Sequence, residues 1–135
     1  MAILESCPGL KVEVIANGIP LHEYTDGDLN DSQATITRYV EANTKGTFEV
    51  LYQFLDEYVA TYGVGAEVRL DGIKVDSSLI RSQNLKGKGG FSASGIESKI
   101  NGRWYTSKLV FSSFTVGEYI QCARCWHPSN KRNVM

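Results

Sequence analysis

Residues 46–54 read GTFEVLYQF. Phe48, Val50, Tyr52 and Phe54 alternate with Thr47, Glu49, Leu51 and Gln53. Successive strand side chains point to opposite sides, so a period of two gathers the four large apolar groups on one face. A helix would scatter the same residues around its axis. This stretch therefore predicts a strand with an oily inner face and a mixed outer one.

The same rhythm recurs outward from it. In LKVEVI, Leu10, Val12 and Val14 alternate with Lys11 and Glu13. In AEVRLDG, Val68 and Leu70 lie opposite Glu67 and Arg69. ATITRYVEA (34–42) is rich in β-branched and aromatic residues and reads as a fourth strand. Its faces are less cleanly separated, with Ile36 and Val40 on one and Tyr39 on the other. FSASGIESKI (91–100) and RWYTSKLVFSSF (103–114) supply a fifth and a sixth.

Asn17-Gly18, Asp71-Gly72 and Asn101-Gly102 are each flanked by strand-like residues. Asn-Gly and Asp-Gly are the strongest short hairpin signals, because both positions of a type I′ turn need positive φ. The expected hairpin that stands out joins 96–100 to 103–111. Helix signals are scarce. LDEYVATYG places Leu55, Tyr58, Val59 and Tyr62 at helical spacing, with Gly63 positioned as a C-terminal cap. That reads as two turns of helix or as a loop crossing one end of a sandwich. The fold class is all-β and mainly antiparallel. The expected architecture is a β-sandwich, jelly-roll-like, or a small partly open barrel with at most one short helix.

The 135 residues suit one domain, here 1–121, followed by a C-terminal tail at 122–135. With 42% hydrophobic and 21% charged residues the composition is that of an ordinary globular chain. A net charge of −1 gives no footprint for nucleic acid or an anionic membrane surface. No apolar run approaches the ~20 residues of a membrane helix. The start, MAILESCPGLK, lacks the basic and apolar regions of a secretory signal, and the expected location is intracellular. Three cysteines, at 7, 122 and 125, then read as reduced thiols.

Candidate chemistry is thin. CARCWH offers Cys122, Cys125 and His127, and a CxxC pair can grip one zinc ion. The second half of a zinc-finger pattern is missing, so a zinc-stabilised module is the weaker alternative to a tail with free thiols. DGDLND begins like a calcium loop, but position 6 is Asp31 and position 12 is Thr37. KGKGG lacks the spacing of a P-loop and reads as an exposed loop presenting Lys86 and Lys88. His22 and His127 belong to no nucleophile constellation, and no catalytic residue is assigned. No cofactor is expected.

The remaining chemistry is aromatic. Phe48, Tyr52, Phe54, Leu109 and Phe111 are assigned to the core. Trp104 and Tyr105 adjoin a turn and point opposite ways, so one must face outward in a regular strand. A bulge near Thr106–Ser107 would bring Trp104 into register with Leu109 and Phe111, and is the favoured reading.

Linked motifs add a resemblance. CPGLKVEVIANGIPLHEY, TRYVEANTKGTFEVLYQF, VRLDGIKVDSSLI and NGRWYTSKLVFSSF occur here in that order. Over about residues 7–116 the chain resembles a family of uncharacterised fungal proteins that share a domain of unknown function. The matching positions are Gly9, Leu10, Tyr39, Val40, Glu41, Ala42, Phe48, Asp71, Gly72, Gly102, Trp104, Phe111 and Ser112. The resemblance implies a β-rich domain and carries no activity. It departs at GEYIQCARCWHPSNKRNVM, where family members continue with a further strand. Either residues 118–125 supply a last strand or a sheet edge stays uncovered. An uncovered edge invites pairing with another chain. The first reading is a non-enzymatic interaction domain, with Trp104, Tyr105, Lys86 and Lys88 as contacts and self-association or a protein partner at an exposed edge. The alternative is a small-molecule binder or enzyme with a cleft between sheets.

Overall fold

The computed structural model describes residues 2–3, 7–27, 34–59, 61–85 and 90–112. Its strands are β1 (Ala2–Ile3), β2 (Leu10–Ala16), β3 (Ile19–Pro20), β4 (Glu23–Tyr24), β5 (Tyr39–Val40) and β6 (Glu49–Phe54). They continue with β7 (Val64–Leu70), β8 (Ile73–Ile80), β9 (Phe91–Ala93), β10 (Gly95–Ile100) and β11 (Arg103–Lys108). A single 3-10 turn at Ser82–Asn84 follows β8. Every strand pairing is antiparallel, and the described strands close no barrel. The chain is all-β, as the two-residue rhythm implies.

The central sheet runs β1–β2–β6–β9, with β3 also paired to β2. Its register sets Leu10 opposite Phe54, Val12 opposite Tyr52 and Val14 opposite Val50. On the far side of β6, Ala93 meets Val50 and Phe91 meets Tyr52. Directly opposed residues share a face, so these groups form one continuous apolar surface. The other face is mixed: Lys11 pairs with Glu13 at 2.8 Å and the Ser92 hydroxyl donates to Glu49, beside Leu51 and the buried Ile15.

The β7–β8 hairpin adds Val68 and Ile80 to the same core cluster, and Leu85 follows from the turn after β8. Burying each such aliphatic side chain contributes about 1.5–3 kcal/mol. Between Val68 and Arg69 the pairing slips, from Val68 opposite Asp76 to Arg69 opposite Lys74. Val75 is the extra residue, and it packs against the core. The bulge of this fold therefore lies in β8 and not at Thr106–Ser107. Pairing of β10 with β11 is unbroken from Gly95–Lys108 to Ile100–Arg103.

What buries Leu109 and Phe111 is a change of partner. The Leu109 amide still donates to Ser94, beside β10. Its carbonyl accepts from Phe48, and the Phe111 amide donates to Gly46 at 2.9 Å. Residues 109–111 thus cross onto the central sheet, where Phe111 stacks on Phe48 with ring centroids 4.4 Å apart. Residues 103–108 project beyond the core and all six are exposed.

All three hairpin turns take the mirror-image geometry: φ is 54° and 75° at Asn17-Gly18, 50° and 82° at Asp71-Gly72, and 51° and 79° at Asn101-Gly102. Other segments differ from expectation. Only Tyr39–Val40 of ATITRYVEA forms a strand, and FSASGIESKI splits into two at Ser94. Residues 55–59 form a turn, closed by the Tyr58 amide on Leu55, and not a helix. Val59 and Tyr62 are 82% and 81% exposed, so the helical spacing there buries no stripe.

That turn packs against Gly9, whose φ is +87°. A Cβ built on Gly9 would stand 2.4 Å from the Tyr58 backbone nitrogen. Gly9→Ala combines a left-handed backbone with a clash against main chain, and is expected to cost about 2–4 kcal/mol. Urea unfolding of the variant beside wild type measures it; a loss near zero would mean that the 55–58 turn moves aside freely.

Candidate functional site

The β10–β11 ribbon carries large aromatic side chains that folding leaves exposed. Its turn dipeptide, Asn101-Gly102, sets the register, and register fixes the faces. Ile96, Ser98, Ile100, Arg103, Tyr105 and Ser107 share one face; Glu97, Lys99, Trp104 and Thr106 share the other. Trp104 is 69% exposed and Tyr105 49%. The Lys99 ammonium stands 5.8 Å from the Trp104 ring centroid. At an exposed site such a cation–π contact contributes about 0.5–1 kcal/mol, enough to bias the indole's orientation without burying it. Ile96 and Ile100 flank Tyr105 on the opposite face and are exposed as well.

At the base of the Trp104 face lies a cleft of about 340 Å³. Lys74, Asp76 and Ser77 of β8 form one wall, while Ser94, Glu97 and Thr106 come from the β9–β10 junction and the ribbon. Hydroxyls, two carboxylates and one ammonium make a hydrogen-bonding surface. No histidine or cysteine lines it. Among the described residues no group of three or more histidine, cysteine or acidic side chains is placed to hold a metal ion. No described helix is long and apolar enough to cross a membrane.

Of the expected contacts, the structure places Trp104 and Tyr105 back to back on the ribbon and brings neither into the core. Lys86, Lys88, Cys122, Cys125 and His127 lie outside the described residues. Sequence reading missed the polar cleft, because its walls meet only through the contact of β8 with the ribbon.

Cys7 is a free, half-buried thiol. Burial pushes it above the usual thiol range. Burial also raises the nearby Tyr58 hydroxyl, with a smaller push from the Cys7 charge. A raised thiol keeps its proton at neutral pH and is a poor nucleophile. Cys7 is therefore expected to alkylate more slowly with iodoacetamide at pH 7 in folded than in urea-unfolded protein, read by peptide mass mapping. The linked stability is fully present below the ordinary thiol pKa and is lost as pH rises through the folded value. Equal rates in both states would contradict the burial.

A family model described as a domain of unknown function, DUF7918, matches residues 9–124. The chain belongs to this family. The match carries the DUF7918 domain past residue 116, where the motif resemblance stops, to Arg124. No curated protein and no solved structure matches the chain. Several positions of the quoted motifs have folding roles here. Gly9, Asp71, Gly72 and Gly102 hold positive φ, while Phe48 and Phe111 stack inside. Trp104, the largest of those side chains, is left outside the core of this DUF7918 domain.

Proposed function

We propose that this DUF7918 domain is a non-enzymatic interaction module that assembles through its β10–β11 ribbon, first with a second copy of itself. The observation that carries this reading is the exposure of Trp104 and Tyr105 on opposite faces of a ribbon whose register is regular. Tryptophan and tyrosine dominate the energetics of protein contacts. Among the described residues, neither outer edge of the ribbon pairs with another strand. An open edge offers main-chain hydrogen bonds to an added strand, and the flanking aromatics supply grip. An intracellular, fungal setting completes the reading; it is supported by the odd, small number of thiols and by the motif resemblance.

Size-exclusion chromatography with light scattering from micromolar to millimolar concentration tests it. The expected result is a concentration-dependent dimer that Trp104→Ala shifts to monomer. A monomer throughout would exclude self-association.

The 340 Å³ cleft favours a second reading, a small polar ligand held between β8 and the ribbon. Asp76→Asn would then weaken ligand binding and leave the oligomeric state unchanged.

A further inference from the structure

Strands β4 and β5 are only two residues long, yet they pair Tyr24 directly with Tyr39. Opposed residues project to the same side, so the two phenols stand together. Tyr24 is 48% exposed, and its ring meets that of His22 edge-on, with centroids 4.6 Å apart. Both rings line an open basin of about 490 Å³. Asp26 and Glu41 line it too, each two residues beyond a tyrosine. The strands run in opposite directions, which sets the carboxylates at opposite corners of the aromatic pair.

No lysine or arginine lines this basin. The lining thus combines two electron-rich phenol side chains with two acidic ones. Such a surface attracts a cation. It offers most to one carrying methyl groups, which gain from ring contact and need no hydrogen-bond partner. A bare ammonium is more strongly hydrated and gives up more water to enter.

We propose that the Tyr24–Tyr39 basin binds a methylated ammonium, either free or on a lysine side chain. This site is separate from the ribbon and does not depend on the assembly reading.

The test is an amide NMR titration of the whole chain with choline and with its uncharged carbon isostere, 3,3-dimethylbutan-1-ol. Choline is expected to shift amides of residues 24–27 and 39–41 saturably. The isostere should bind about tenfold more weakly, the loss expected of a cation–π contact with carboxylate support. Tyr24→Phe should keep choline binding within about threefold, whereas Tyr24→Ala and Glu41→Gln should each weaken it about three- to thirtyfold. Peptides bearing trimethyl-lysine or plain lysine separate the sources. Tighter binding of the trimethylated peptide than of choline identifies a side-chain ligand; the reverse identifies a free cation. Equal binding of choline and the isostere overturns the proposal, as does a titration without saturable shifts in these segments. Both of these readouts use wild type, so they hold even where Tyr24→Ala does not fold.

Discussion

Phe111→Ala is expected to remove about 3–5 kcal/mol of folding stability. Phe111 is 2% exposed and stacks on Phe48 with an interplanar angle of 27°. It also anchors the crossing of residues 109–111 onto the central sheet: its amide donates to Gly46, and its carbonyl accepts from Lys45 at 2.8 Å. Truncation would remove the ring and leave a void beneath the segment that ties β11 to the core. Domains of this size hold only about 5–15 kcal/mol in total, so a large share of the margin disappears. Phe111→Leu keeps most of the volume and is expected to cost about 1–2 kcal/mol. Val110→Ala, on the exposed side of the same segment, should stay within about 0.5 kcal/mol. Urea unfolding of the three variants checks the order. Equal losses for Phe111→Ala and Val110→Ala would show that the crossing does not cover the core.

Trp104→Ala has the opposite profile. Its indole touches Lys99 and otherwise faces solvent, so stability should fall by no more than about 1 kcal/mol. Its effect on association should be large. A central tryptophan in a contact typically carries 2 kcal/mol or more, which is about a thirtyfold weaker dimer. Thermal unfolding and sedimentation of the same sample separate the two quantities. A stability loss above about 3 kcal/mol would place Trp104 inside the fold.

Much of the core was legible because it depends on local period. Phe48 to Phe54 alternate, and every even member of that run is buried. The three turn dipeptides fixed their hairpins, since few residue pairs tolerate two positive φ angles in succession. β8 was harder to read: its bulge at Val75 shifts the phase, so Ile73 and Ile80, an odd number of residues apart, share one face; Ile80 packs inward with Val75, while Ile73, beside the Asp71-Gly72 turn, is exposed. The spacing of Leu55, Tyr58, Val59 and Tyr62 suggested a helix, but Tyr58 instead caps Phe54 edge-on at 4.8 Å. Periodicity measures where apolar groups recur and not whether a layer lies opposite them.

The site was legible only as a question. The parity of Trp104 against Leu109 is visible in the sequence, and a bulge would have reconciled them. The structure resolves it by geometry at long range, because the ribbon extends past the core before the strand changes partner at Leu109. The Tyr24–Tyr39 basin left a smaller trace, in the odd facing of Tyr39 within ATITRYVEA. Its pairing with a two-residue strand fifteen positions earlier leaves no periodic signal.

The most direct measurement is acrylamide quenching of Trp104 fluorescence in a Trp126→Phe background, followed across protein concentration. At concentrations where light scattering gives a monomer, emission should match that of indole in water and quench freely. As the dimer forms, quenching should fall. A tryptophan already shielded in the monomer would contradict the outward ribbon, and one that stays open in a dimer would remove the ribbon from the contact.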